Sequence, residues 1–263
     1  MWLAGAVSGS LACGGAQSTA STTPTPAEEA ESKSASAPTG KRRAPEAKER
    51  FALEQLFRHT ERIRGLRFKE NVPVEVHDRI AIVEYLQTKM QEDELDKSLL
   101  IYSALGLLDP NSDVKTMLEN VLGEQILGYY DDEKKTFVIR DDIMEKLGTK
   151  PKGVDETRAI IVHEMVHALQ DQHLDLGHRF RADKDSDPAN AYRALVEGDA
   201  SLAMVGYIAE GSGAPLEVIT ANHQLASQLM EGGAAMSGSK ELDAAPAILR
   251  VTLIAAYLEG LRL

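Results

Sequence analysis

From Ile160 to His173 the chain reads IIVHEMVHALQDQH. Ile160, Ile161, Met165, Val166, Ala168 and Leu169 make this segment apolar on all sides, the pattern of a buried helix. It also carries three histidines and a glutamate. Burying such groups is strongly unfavourable unless they are hydrogen-bonded, paired or hold a metal.

Residues His163-Glu164-Met165-Val166-His167 form an HExxH motif. Helix positions four apart lie on one face, about 40° from each other, so His163 and His167 can address one ion. Neutral imidazoles suit Zn²⁺, whose tetrahedral coordination leaves room for a third protein ligand and a water. Glu164 lies next to His163 around the helix. From there it can reach a water activated by the ion and take its proton as general base.

Two residues compete for the third ligand position. Glu197 sits with Asp199 at the centre of ALVEGDAS, a second helix that is apolar on both flanks. Zinc needs a further protein group, which favours Glu197. The alternative is His173, because HEMVHALQDQH has the histidine spacing of the metzincin proteases, HExxHxxGxxH. Gln170 stands where those proteins have the glycine that turns the chain. In a continuing helix His173 is rotated about 240° from His167 and faces away from the ion. Asp199, or Asp171 one turn beyond His167, could accept the free N–H of a ligand histidine and fix its tautomer.

With 263 residues the chain can fill one or two domains with a sizeable core. Aromatic residues make up only 5%, so aliphatic and alanine-rich helix packing is expected. The net charge of -12 argues against a general nucleic-acid binder, which would present a basic face. There is one cysteine, Cys13, so no internal disulfide can form. The small, apolar start MWLAGAVSGSLAC has the character of a bacterial lipoprotein signal over residues 1–13, with Cys13 as the lipidated residue. No positive charge precedes the apolar run, which a mis-assigned start codon would explain. The expected location is therefore the cell envelope, by export and membrane attachment through Cys13.

Residues 14–45 are rich in Ser, Thr, Pro and Ala and read as a disordered tether. The folded domain is expected over 46–263. Phe51, Leu53, Leu56, Phe57 and Ile63 give its first helix an apolar stripe, and Gly65 is the stop signal. Val72 to Val76 alternate as a strand. One long or two consecutive helices follow, up to Asp109-Pro110, and then a short helix after Asn111. Ile126 to Tyr130 and Thr136 to Arg140 form a β-hairpin candidate, joined by a charged turn. A small helix over Ile143 to Leu147 precedes Asp155, the N-cap of the HExxH helix. Further helices are expected over Ala189 to Ile208, over Leu216 to Met230 and in the final apolar segment. That last pattern runs to Leu263 without a cap. It implies a helix docked into the core or a C-terminally incomplete domain.

Three segments in this order, LGYYDDEKKTFVIRDD, IIVHEMVHALQDQHLDL and RALVEGDASLAM, resemble a group of uncharacterised bacterial gluzincin-like metallopeptidases. The resemblance covers about Leu66 to Leu263, and HALQDQH with EGDA is its most specific part. It implies a mostly helical α+β, zincin-like fold with a small antiparallel hairpin or sheet beside the active-site helix. It also implies His163, His167 and Glu197 as ligands of one catalytic zinc, with Glu164 as catalytic base. The substrate would be a peptide or protein. Phe137 to Arg140 would be the edge strand that pairs with it. Tyr192, Arg193, Tyr207, His223 and Tyr257 remain open as donors to the oxyanion. His59, His77 and His178 read as structural. Two other functions stay in play: a non-catalytic lipoprotein with a structural or degenerate zinc site, and a zinc hydrolase acting on a non-peptide amide.

Overall fold

A computed structural model describes residues 39–90, 92–149, 155–178, 186–213, 215 and 240–261. The segment 1–13 with Cys13, the helix expected over Leu216 to Met230, and His223 lie outside them.

The described elements run β1 (Arg42–Arg43), α1 (Ala47–Arg64), β2 (Val74–His77), α2 (Arg79–Lys89), α3 (Glu92–Ala104), α4 (Val114–Gln125), β3 (Gly128–Asp131), β4 (Thr136–Arg140), α5 (Asp141–Leu147) and α6 (Glu156–Leu174). Then come α7 (Ser186–Ser212), α8 (Lys240–Ala244) and α9 (Ala247–Leu261). The architecture is mostly helical α+β around one mixed, four-stranded sheet of order β1-β2-β4-β3. None of the described helices is long and apolar enough to cross a membrane.

Local chemistry explains several boundaries. Asp78 and Asp113 cap α2 and α4 through their side chains, and Gly65 ends α1 in the left-handed conformation. Asp155 caps α6 as the sequence indicates, accepting from the Arg158 backbone N–H at 2.9 Å. On α1 the buried stripe is Leu53, Leu56 and Thr60, whereas Phe51 is 65% exposed and lies outside the core.

The strands alternate their side chains between two cores. Val76, Tyr130, Phe137 and Ile139 pack with α1, α5 and the apolar residues of α6. Tyr129 and Val138 face the other way, into a core with α2, α4, α8 and α9. The sheet thus holds α6 against one face, and α7 packs on α6 in turn.

Two expectations need correction. β4 is not an edge strand: it pairs in parallel with β2 and antiparallel with β3, so both its sides are used. The outer strand next to it is β3. Order also begins before Glu46. Arg42 and Arg43 pair with His77 and Val76, and the Gly40 N–H donates to Glu84 at 2.8 Å. Ion pairs of Arg42 with Glu84 and Arg43 with Glu49 hold this short segment, which has no apolar pattern of its own.

Candidate metal centre

The helices α6 and α7 bring three side chains to one point. His163 and His167 project from the same face of α6, as four-residue spacing dictates, and Glu197 meets them from α7. His163 Nε2 lies 3.1 Å from a carboxylate oxygen of Glu197, and the two Nε2 atoms lie 3.2 Å apart. The third side of the triangle, His167 Nε2 to the same Glu197 oxygen, is 3.5 Å.

These separations fit an ion. Ligands at the corners of a tetrahedron with bonds of about 2.0–2.1 Å stand roughly 3.3–3.4 Å apart. All three residues are buried, at 5%, 1% and 2% exposure, yet none is surrounded only by apolar groups. Two imidazole nitrogens and a carboxylate oxygen form a donor set suited to Zn²⁺, and among the described residues no fourth histidine, cysteine or carboxylate joins them. The chain therefore contains a buried His-His-Glu group that could hold a metal ion.

The charges within the cluster depend on one another. Burial raises the Glu197 carboxyl, but the charge of His167 and hydrogen bonds from both histidines outweigh it and hold the group far below the usual carboxylate range. Burial lowers His167, and Glu197 reverses this and lifts the imidazole to about 9. Glu164, half-buried beside the ligands, is raised by burial against the pull of His167 and His163.

Gln170 orients His167. Its side-chain oxygen accepts from His167 Nδ1 at 2.9 Å, while its amide nitrogen donates to Val196 O at 2.9 Å and to Asp199 at 2.7 Å. Because both amide donors are engaged, the oxygen must face the ring. The proton is then on Nδ1 and the Nε2 lone pair points into the cluster. Asp199 also accepts from Arg64, the last residue of α1, at 2.9 Å. A chain of contacts thus runs Arg64, Asp199, Gln170, His167 across three helices.

Comparisons of the sequence with protein-family models, with curated proteins and with solved structures find no match.

Asp199 does not touch a ligand histidine directly but reaches His167 through Gln170. Asp171 accepts from Tyr130 Oη at 2.8 Å and from Lys135 Nζ at 2.7 Å, and so ties α6 to the hairpin rather than to the ligands. His173 turns away as the helical rotation requires, and its Nε2–H donates to Arg67 O at 2.9 Å. His59 and His77 pair with Glu210 and Glu75, and His178 is exposed.

Among the oxyanion candidates, Tyr257 on α9 lies against the site, with its ring centroid 5.7 Å from that of His163. Tyr207 packs beside His59 instead. Arg193 stands one turn before Glu197 on α7. Burial lowers its guanidinium, opposed by the negative charge of Glu197. Sequence reasoning missed Gln170 as a second contact to a ligand. The signal was present, since an amide buried one turn after a ligand histidine needs partners for both of its ends.

Proposed function

We propose that this chain is a zinc-dependent metallopeptidase of the gluzincin-like kind. The observation that carries this is the convergence of His163, His167 and Glu197, with the carboxyl of Glu164 beside them on the same helix. Zinc held by these three residues would act as a Lewis acid and bring the pKa of a water from about 15.7 towards 7.

The chain's own residues supply the remainder. Glu164 is half-buried beside the ligands, and its raised basicity suits a group that takes a proton and then returns it to a leaving amine. Gln170 keeps His167 in the tautomer that can ligate. Among the described residues no fourth protein ligand joins the three, and His173 is engaged elsewhere, which favours catalysis over a closed structural site. Export, and attachment to a membrane through lipidated Cys13, form part of the proposal on the strength of the N-terminal sequence. The substrates would be peptides or proteins of the cell envelope or its surroundings.

The test is zinc content and peptide-library cleavage for the full chain, Glu197→Ala and Glu164→Gln. The parent should bind about one zinc and cleave peptides. Glu197→Ala should lose the metal, and Glu164→Gln should keep it while cleavage drops by about 10²–10⁴-fold. Metal bound without any peptide cleavage would instead favour a structural site or a non-peptide amide substrate.

A further inference from the structure

The C-terminal part of α1 lies along the seam where α6 and α7 meet. Ile63 packs there against Val166, Ala200 and Ala203. Val166 directly precedes the ligand His167, and Ala200 directly follows Asp199. Thr60, buried one turn earlier on α1, directs its hydroxyl to the Met165 sulfur at 3.8 Å. Towards the C-terminal end of α7, His59 and Arg62 both reach Glu210, at 2.7 and 2.8 Å. The helix α1 supplies none of the three ligands, yet it touches both helices that do.

This docking places Arg64. Its Nε–H points at the Asp199 carboxylate, with Nε 2.8 and 2.9 Å from the two oxygens. The oxygen at 2.9 Å is also the one that accepts from the Gln170 amide, at 2.7 Å. The two side chains of the ion pair are 35% and 27% exposed, and pairs so open to solvent add little to the stability of a fold. Their geometry serves the amide instead. A carboxylate alone can rotate about its side-chain bonds, whereas a guanidinium against both oxygens fixes the one that meets Gln170. Gln170 then has both amide protons engaged, and its oxygen stays committed to His167 Nδ1.

We propose that Arg64 is a positioning residue of the metal centre. From the end of α1 it holds Asp199 against Gln170, and so keeps the His167 ring turned with Nε2 towards the ion. It acts on the ligand only through Asp199 and Gln170, as outer partners of a metal site do. This rests on the metal-binding part of the peptidase reading.

The test measures zinc affinity of the full chain by competition with a chromophoric chelator. The variants are Arg64→Met, Gln170→Leu, the two combined, and Arg62→Met. Arg62→Met breaks another ion pair between α1 and α7 but leaves the contacts of Gln170 alone. Arg64→Met should weaken zinc about tenfold, the lower end for such partners. Its metal-free Tm should stay within about 2 °C of the parent, as loss of a partly exposed ion pair allows. In the Gln170→Leu background the same change should cost less than about twofold, because the path to His167 is already cut. Arg62→Met should bind zinc like the parent. In NMR spectra of the zinc-loaded protein, the His167 Nδ1 proton should exchange with solvent faster in Arg64→Met than in the parent.

Parental affinity in Arg64→Met, an equal loss in the Gln170→Leu background, or an equal loss in Arg62→Met would overturn the role of Arg64 and leave the metal site standing. The expected pattern in a parent that cleaves no peptide would sustain that role while the peptidase reading fails. A parent that binds no zinc would overturn both.

Discussion

The side-chain oxygen of Gln170 meets Nδ1 of His167 at 2.9 Å, and this contact decides which nitrogen of the imidazole can ligate. Replacing Gln170 by Leu should remove the constraint while keeping the helix. Partners of this kind are worth about 10–100-fold in metal affinity, and a loss of that size is expected in a zinc competition assay with a chromophoric chelator. Unchanged affinity would mean that packing alone orients the ring.

Titration of the cluster makes the stability of the fold depend on pH. His167 has a pKa of about 9 in the folded, metal-free protein, against an ordinary value of 6.5. Its contribution to stability is complete below about pH 6.5 and is lost as pH rises through 9. Glu164, also raised, acts in the same direction, while depressed Glu197 withdraws its contribution only on acidification below its ordinary range. The Tm of the metal-free protein should therefore fall between pH 6.5 and 9. Zinc must displace the His167 proton, so apparent zinc affinity should rise over the same interval, by up to about tenfold per pH unit. Differential scanning fluorimetry with and without chelator reads both effects.

Lys135 and Asp171 form an ion pair with unequal exposure, 53% against 1% for the side chains. The two halves should respond differently. Lys135→Met strips a buried carboxylate of its bonded cation and is expected to destabilise by about 3 kcal/mol. Asp171→Asn can still accept from Tyr130 and frees a lysine that reaches solvent, so about 1 kcal/mol is expected. Urea unfolding of both variants should give this order, and equal losses would contradict it.

The backbones of α7 and α9 meet at Gly198 and Gly260, where a Cβ on Gly198 would stand 2.2 Å from the Gly260 carbonyl, and alanine there should force the helices apart. Gly198→Ala is expected to lower stability by about 1–3 kcal/mol, with an upward trend because the obstructing atoms are backbone. Gly198→Ala should also reduce zinc affinity, since Glu197 is its neighbour. Unfolding and zinc titration on the same preparation check the pair of effects.

The sequence carried the α6 part of the site clearly. Spacing alone puts His163 and His167 on one face and turns His173 off it, and both statements hold because they concern a single helix. Glu197 was legible for a different reason, as a carboxylate set in apolar surroundings that has to be compensated. The sheet was only half legible. The β3–β4 hairpin has a turn and alternation, but the parallel pairing of β2 with β4 joins residues far apart in the chain and leaves no local mark. β1, two arginines long, is held by backbone pairing and carboxylates and has no periodicity to detect. The role of Asp199 was misplaced by one contact, since nothing in spacing tells a direct partner of a histidine from one acting through Gln170. The close approach of Gly198 and Gly260 was likewise invisible, because it depends on how two helices dock.

His163 and Glu197 are 34 positions apart, on helices with a polar connection between them. An ion joining them closes that segment into a ring, as a disulfide would. Cross-links over loops of this length suppress the freedom of the unfolded chain by roughly 3–4 kcal/mol. This chain has a single cysteine and cannot make such a bond internally. A His-His-Glu cluster offers it a reversible staple, so that the supply of metal would govern how long the fold survives as well as whether it is active.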